Sequence, residues 1–258
     1  MPKFSANLGF LWPGLALHEQ IDAAATAGFK AIEVHWPYGT SPESVRDQCS
    51  RLDLKFLGLN TALGDTSRGD FGLGASPGRE ADFDRTFDEA VDYCHRSGAK
   101  AIHVMAGVVA PEDRHRARTT FIDNLRRAAA RAPDVTLLLE PINQRDKPGY
   151  FYSSLHQAAE IIAEVGAPNI KIMFDIYHVG VSEGDIFRKL DRYLPLIGHV
   201  QIAAVPSRAE PDEGEIAYAT VFKELDKLGY DGWVGCEYKP RGDTDDGLAW
   251  VKALGVQL

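Results

Sequence analysis

Eight short apolar runs recur along the chain, separated by stretches of polar and amphipathic sequence. The runs occupy residues 4–8 (FSANL), 31–35 (AIEVH), 55–60 (KFLGLN), 100–107 (KAIHVMAG), 135–142 (VTLLLEPI), 170–178 (IKIMFDIYH), 198–203 (GHVQIA) and 232–239 (GWVGCEYK). Each is rich in β-branched or aromatic residues and bounded by turn formers, which is the pattern of a strand. Helical spacing of apolar residues marks 17–28, 41–52, 78–98, 153–166, 218–230 and 244–254. Ser41 is placed to cap the second of these, with Pro42 at its first position, and Gly98 ends the third. Strands covered on both faces read as near-continuous apolar runs, as parallel strands do. About eight strand–helix units in 258 residues fit one (β/α)8 barrel, an α/β fold of about this length. A doubly wound open sheet would place a Gly-rich phosphate turn after the first strand, and NLGFLWPG does not match GxGxxG. No low-complexity tract or linker divides the chain, so residues 1–258 are expected to form a single TIM barrel domain.

The ends of the later runs carry acids. Run five ends near Glu140, run six holds Asp175, run seven Gln201 and run eight Glu237. In a barrel the C-terminal strand ends form the active face. A single such carboxylate could simply reach solvent, but four oxygen-bearing side chains on four successive strands point to one shared site. Three clustered carboxylates repel one another and need a counter-charge. All-oxygen ligation suits a hard divalent cation, Mg²⁺ or Mn²⁺.

At these residues the chain resembles the hydroxypyruvate isomerase family of the xylose-isomerase-like TIM barrel superfamily. The resemblance rests on FSANL, PGRE (77–80), LLLEPIN (137–143), FDIYH (174–178), GHVQIA, EPDEGEI (210–216) and YDGWVGCEYKP (230–240), in that order over nearly the whole length. It implies that Glu140, Asp175, Gln201 and Glu237 hold one divalent metal and that Glu140 and Glu237 form the acid–base pair. It also implies that His178 and Arg208 contact substrate oxygens. The implied reaction interconverts a short keto-acid and its aldehyde isomer, hydroxypyruvate and tartronate semialdehyde or a related sugar acid such as a 2-oxo-tetronate. Two other activities belong to the same superfamily: a ketose 3-epimerase, which uses the same two glutamates, and a DNA-repair endonuclease. The nuclease needs a His-rich multi-zinc cluster and a basic surface, whereas this chain has Gln201 among its ligands. The family typically reads close to QIADNPHRGEPGTGEI where this chain reads QIAAVPSRAEPDEGEI. Ala204 and Val205 thus stand where a polar pair is usual, and an altered pocket wall and a somewhat different sugar acid are expected. The resemblance also suggests a homo-oligomer.

A net charge of -9 argues against nucleic acid as a partner. Cys49, Cys94 and Cys236 are scattered without a CxxC, which fits a reducing compartment and a cytoplasmic location. No apolar run reaches the roughly 20 residues of a membrane span, and the first residues lack the pattern of a signal peptide. His103, in run four, either faces the barrel interior and touches substrate or fills a core layer. His35 either lines the pocket or lies at the surface. His199 is read as core, Glu33 as a buried acid hydrogen-bonded inside the barrel, and the Gly-rich segment 65–80 as a lid or a plain connection. Trp12 and Trp36 either narrow the mouth or form an interface.

Overall fold

The computed structural model describes residues 2–258. Eight parallel strands close into a barrel in sequence order: β1 (Lys3–Asn7), β2 (Ala31–Val34), β3 (Lys55–Asn60), β4 (Ala101–His103), β5 (Thr136–Leu139), β6 (Ile170–Asp175), β7 (Ile197–Ile202) and β8 (Trp233–Cys236). Closure is made by β1 pairing with β8, Phe4 opposite Val234 and Ala6 opposite Cys236. The helices of the outer ring are α1 (Leu17–Ala27), α2 (Pro42–Arg51), α3 (Glu80–Ser97), α4 (Arg114–Arg131), α5 (Leu155–Val165), α6 (Ile176–Ser182), α7 (Ile186–Tyr193), α8 (Tyr218–Lys227), α9 (Thr244–Gly247) and α10 (Trp250–Ala253).

Local chemistry sets many of these boundaries. The Ser41 hydroxyl accepts from the Ser44 N–H at the start of α2, with Pro42 at the first helical position. Ser154 and Gln157 form a reciprocal capping box on α5, and Gly166 ends that helix with φ 72°. The core is continuous from barrel to helices. Phe4 of β1 meets Phe222 of α8 and Trp250 of α10 edge-on at 5.1 and 5.5 Å. Trp250 also donates its indole N–H to the Tyr238 hydroxyl at 2.9 Å. Trp12 ties the same β1–β8 seam beyond the strands: its backbone N–H bonds Thr244 Oγ1 and its indole N–H bonds Asp245 Oδ1, both at 2.8 Å. It therefore fastens the first loop to the last helices.

Five elements differ from the sequence reading. Run six extends only to Asp175; the chain turns into α6 at Ile176, because the Asp175 carboxylate accepts the Tyr177 N–H at 2.8 Å and caps the helix. Run four keeps strand pairing only over Ala101–His103. Helices α4 and α7 stand where no helix was expected, and 244–254 divides into two short helices. Segment 65–79 is pinned to the β4–α4 connection, by Gly74 N–H to Met105 O at 3.0 Å and Ala75 N–H to Ala106 O at 2.7 Å. Among the described residues, no helix is long and apolar enough to cross a membrane.

Candidate active site

Strand register assembles the acids. Asp175 on β6 lies opposite Gln201 on β7, and Gln201 lies opposite Gly235 on β8. Glu140 and Glu237 are the first residues beyond β5 and β8. All four side chains are buried. A cavity of about 330 Å³ opens over Glu140 and Glu237, lined also by His103, His178, Arg208 and His35, with walls from Phe10, Trp36, Phe71, Met105 and Ile142.

Three oxygens at this site have no hydrogen-bond partner among the described residues: Glu140 Oε1, Asp175 Oδ2 and Gln201 Oε1. Two of them are left open by what the rest of the side chain does. Asp175 spends Oδ1 on capping α6, which leaves Oδ2 open. Gln201 donates its Nε2 to Glu33 Oε2 at 3.0 Å. An ionised Glu33 only accepts, so the amide nitrogen must face it and the carbonyl oxygen turns away. Glu33 is itself fully bonded, by Ser5 Oγ at 3.2 Å and by His199 Nε2 at 3.0 Å. The buried hydrogen-bonded Glu33 and the core His199 of the sequence reading are thus both present. Gly235 makes room for this arrangement: a Cβ there would collide with Glu33 Oε1.

Glu140, Asp175 and His178 form a buried group whose ligand-capable atoms all lie within 4.8 Å of one another, a group that could hold a metal ion. The tautomer of His178 bears on its part in this. Its Nδ1 accepts from the Asn143 backbone N–H at 3.3 Å and from Asn143 Nδ2 at 2.6 Å. The Asn143 amide cannot be reversed without losing the bond from the Asp146 N–H to its Oδ1 at 2.8 Å. Nδ1 is therefore unprotonated, and Nε2 carries the hydrogen. Nε2 stands 3.5 Å from Glu140 Oε1, Asp175 Oδ2 and Arg208 Nη2. The guanidinium contact would need a lone pair on Nε2, but at 3.5 Å it is outweighed by the shorter contacts to Nδ1. His178 thus presents an N–H to the site from the first turn of α6.

Glu237 is held quite differently from Glu140. Its Oε1 accepts from His35 Nε2 at 2.8 Å and Asn7 Nδ2 at 3.3 Å, and its Oε2 from Arg208 Nη2 at 3.1 Å. Burial alone would push its pKa up. The His35 hydrogen bond and the Arg208 charge outweigh that and hold it well below the usual carboxylate range. Glu140 is pushed up, first by burial and then by the charges of Glu237 and Asp175. Asp175 is raised by burial and by Glu237. His103 Nδ1 lies 3.4 Å from Glu140 Oε2 while its Nε2 has no partner, and burial lowers its pKa to about 4. His103 therefore belongs to the site wall and carries no charge at neutral pH.

Arg208 adopts φ 59°, a left-handed conformation that costs a non-glycine residue free energy. Its guanidinium lies 4.9 Å from the Phe10 ring and 5.0 Å from the Tyr177 ring. The turn that carries it is built by Ala204, whose carbonyl accepts the Arg208 N–H at 2.8 Å, and by Val205, whose carbonyl accepts the Glu215 N–H at 2.8 Å. Ala204 and Val205 are not part of the cavity wall, contrary to the expectation from the sequence. Their effect on the site passes through Arg208. Asn7, Asp146 and Lys147 were not singled out in the sequence; they belong to this neighbourhood because of the barrel register and the turn after β5.

The chain belongs to the xylose isomerase-like TIM barrel family, whose model matches residues 21–254. It is 47% identical over 255 residues to a Cupriavidus necator protein named 2-oxo-tetronate isomerase, covering 98% of each chain. It is 43% identical over 262 residues to a Mus musculus protein provisionally named a hydroxypyruvate isomerase, covering 97% of this chain and 94% of the other. A solved structure from Brucella melitensis, named as a family 2 AP endonuclease, superposes with a TM-score of 0.95 at 38% identity, over 98% of this chain and 99% of the other.

Proposed function

We propose that this chain is a divalent-metal-dependent isomerase of short 2-oxo acids, with hydroxypyruvate or a 2-oxo-tetronate as substrate. The observation that carries this reading is the set of three partnerless buried oxygens, on Glu140, Asp175 and Gln201, at the strand ends beneath the cavity that Glu140 and Glu237 line. Buried polar atoms are nearly always bonded, so an unmet set of acceptors suits a cation as ligand. With Glu237 they make the oxygen set that would hold one Mg²⁺ or Mn²⁺. When bound, that ion supplies positive charge that makes the carbon between a carbonyl and a hydroxyl more acidic.

The chain's own groups do the rest. Glu140, after β5, and Glu237, after β8, reach the cavity from different strands. One carboxylate removes the proton from the substrate carbon, and a proton is returned to the neighbouring carbon as carbonyl and hydroxyl exchange places. His178 Nε2–H donates to a substrate oxygen, and its neutral tautomer is fixed by Asn143. Arg208 steadies Glu237 as a carboxylate through the 3.1 Å contact. Phe10, Phe71, Met105 and Ile142 keep the reacting carbons away from bulk water.

The Brucella melitensis protein carries the name of a nuclease. The acceptor-rich cluster here and a net charge of -9 support keto-acid chemistry instead, because a multi-zinc nuclease uses histidine ligands and a basic face. The test is proton exchange followed by NMR in D₂O with Mg²⁺ or Mn²⁺. Hydroxypyruvate and a 2-oxo-tetronate should take up solvent deuterium as the isomer forms. Exchange confined to longer ketoses, with inversion at one carbon, would replace this reading with a 3-epimerase.

A further inference from the structure

The cavity carries one side-chain cation that has no carboxylate of its own. Arg208 is committed, 3.1 Å from Glu237 Oε2 and 3.6 Å from Asp146 Oδ2. His35 is committed to Glu237 Oε1 at 2.8 Å. The Lys147 ammonium instead stands 3.8 Å from the centroid of the Phe71 ring, and among the described residues no carboxylate lies within 4 Å of it. A ring face offers electrostatic attraction but no lone pair, so the three N–H donors of Lys147 stay largely free.

Its position is set by the fold. The Lys147 N–H bonds Asn143 O at 3.1 Å, and its carbonyl accepts from the Tyr150 N–H at 3.2 Å. The same Asn143 orients His178, so one turn positions both the ammonium and the proposed oxygen donor. Phe71 is fixed in turn by the bond from the Gly72 N–H to Leu63 O at 2.9 Å and by the bridge between Gly72 and Ala106.

Charge decides what such a cation is for. The inner end of the cavity holds Glu140 and Glu237, with Asp175 beside them. A substrate carboxylate is repelled by that end and needs a positive group elsewhere on the wall. Arg208 already faces two carboxylates, Glu237 and Asp146, whereas Lys147 faces an aromatic ring. We propose that Lys147 takes the carboxylate of the substrate and makes the site prefer 2-oxo acids to neutral ketoses of the same length. This rests on the 2-oxo-acid isomerase reading above.

The experiment compares wild type, Lys147→Met and Lys147→Arg, each loaded with Mn²⁺, on hydroxypyruvate, on a 2-oxo-tetronate and on erythrulose. Erythrulose is the four-carbon ketose with CH₂OH in place of the carboxylate. Loss of one charge-assisted hydrogen bond should lower kcat/KM for the acids about 10- to 100-fold in the Met variant, through KM more than kcat. The Arg variant should recover most of that loss, and any erythrulose turnover should keep its KM. An acid KM in Lys147→Met within about twofold of wild type would overturn the proposal and leave the isomerase reading standing. Equal losses on acid and erythrulose, or no recovery with Arg, would also overturn it, since they indicate a merely structural lysine. Wild type that turns over neutral ketoses but neither acid would overturn the isomerase reading, and this proposal with it.

Discussion

Two buried acid clusters share the inside of this barrel, and they are finished differently. Around Glu33 every carboxylate oxygen has a donor: Ser5 on one, Gln201 and His199 on the other. Around Glu140 and Asp175, one oxygen of each carboxylate has none, and the carbonyl oxygen of Gln201 shares that condition. The clusters touch, because Gln201 belongs to both. A buried acid whose bonds are complete is part of the scaffold. A buried acid left incomplete costs stability, and the fold tolerates that where a ligand completes the set. Gln201 is the hinge of this contrast, with its donor end spent on Glu33 and its acceptor end without a partner among the described residues.

The strongest way to test the division is to remove one acid on the open side. Glu140→Gln should lower turnover of the 2-oxo acid by about 100- to 10 000-fold, the usual span for a lost acid–base group. It removes one of several crowded buried acids, so the metal-free variant should melt no lower than wild type. Glu237→Gln should lose turnover on the same scale. It should also lose stability, because it weakens the bonds to His35 and Arg208. Initial rates with calorimetric melts check both. A Glu140→Gln enzyme with near-normal rates would sink the assignment of that residue.

The next largest effect separates the clusters by their response to metal. Free Mn²⁺ at about 100 times its Kd should stabilise the folded chain by about 2.7 kcal/mol. Asp175→Asn should lose most of that gain, read as the shift in melting temperature with and without Mn²⁺. Glu33→Gln should act in two ways at once. An amide at position 33 gives the Gln201 amide a choice of orientation, so Mn²⁺ affinity measured by titration calorimetry should drop about 10-fold, as for other outer-sphere partners. The mismatched donors should also cost about 1–3 kcal/mol in denaturant unfolding. A Glu33→Gln protein with wild-type Mn²⁺ affinity would show that Gln201 does not depend on its lower bond.

How much of this was legible in the sequence follows from the range of the forces involved. Glu140, Asp175, Gln201 and Glu237 were legible because each lies late in an apolar run, and the fold brings such ends to one rim. Glu33 was legible as an acid within an apolar strand. Asn7 and His35 were not, as partners of Glu237, because they meet it across 230 and 202 residues of chain and only the closed register joins them. Helix α4 was missed because its buried face is made partly of alanines, Ala117, Ala128 and Ala129, among many arginines. Its start is also marked by no side-chain cap. Run six was read too long because Ile176 and Tyr177 continue the apolar pattern; what stops the strand is the Asp175 cap, a single hydrogen bond. The free charge of Lys147 becomes visible only when every neighbouring acid has been placed.

The smallest effect is a control on the outer ring. Ser41 caps α2 through a 3.4 Å bond from the Ser44 N–H, and its hydroxyl also donates to Glu43 at 2.9 Å. Both groups are exposed, so Ser41→Ala should cost only about 1 kcal/mol, the usual worth of such a cap. The long cap distance argues for the lower side of that figure. Mn²⁺ affinity should not move, since α2 packs on α1, α3 and β3 and provides none of the residues at the site. Denaturant unfolding and the same metal titration, run beside Glu33→Gln, separate the two kinds of loss. A substitution on the ring lowers stability and leaves the metal alone, whereas one in the lower cluster lowers both. If Ser41→Ala also weakened Mn²⁺ binding, the open cluster would be tuned by general stability, and the contrast between the two buried clusters would lose its physical basis.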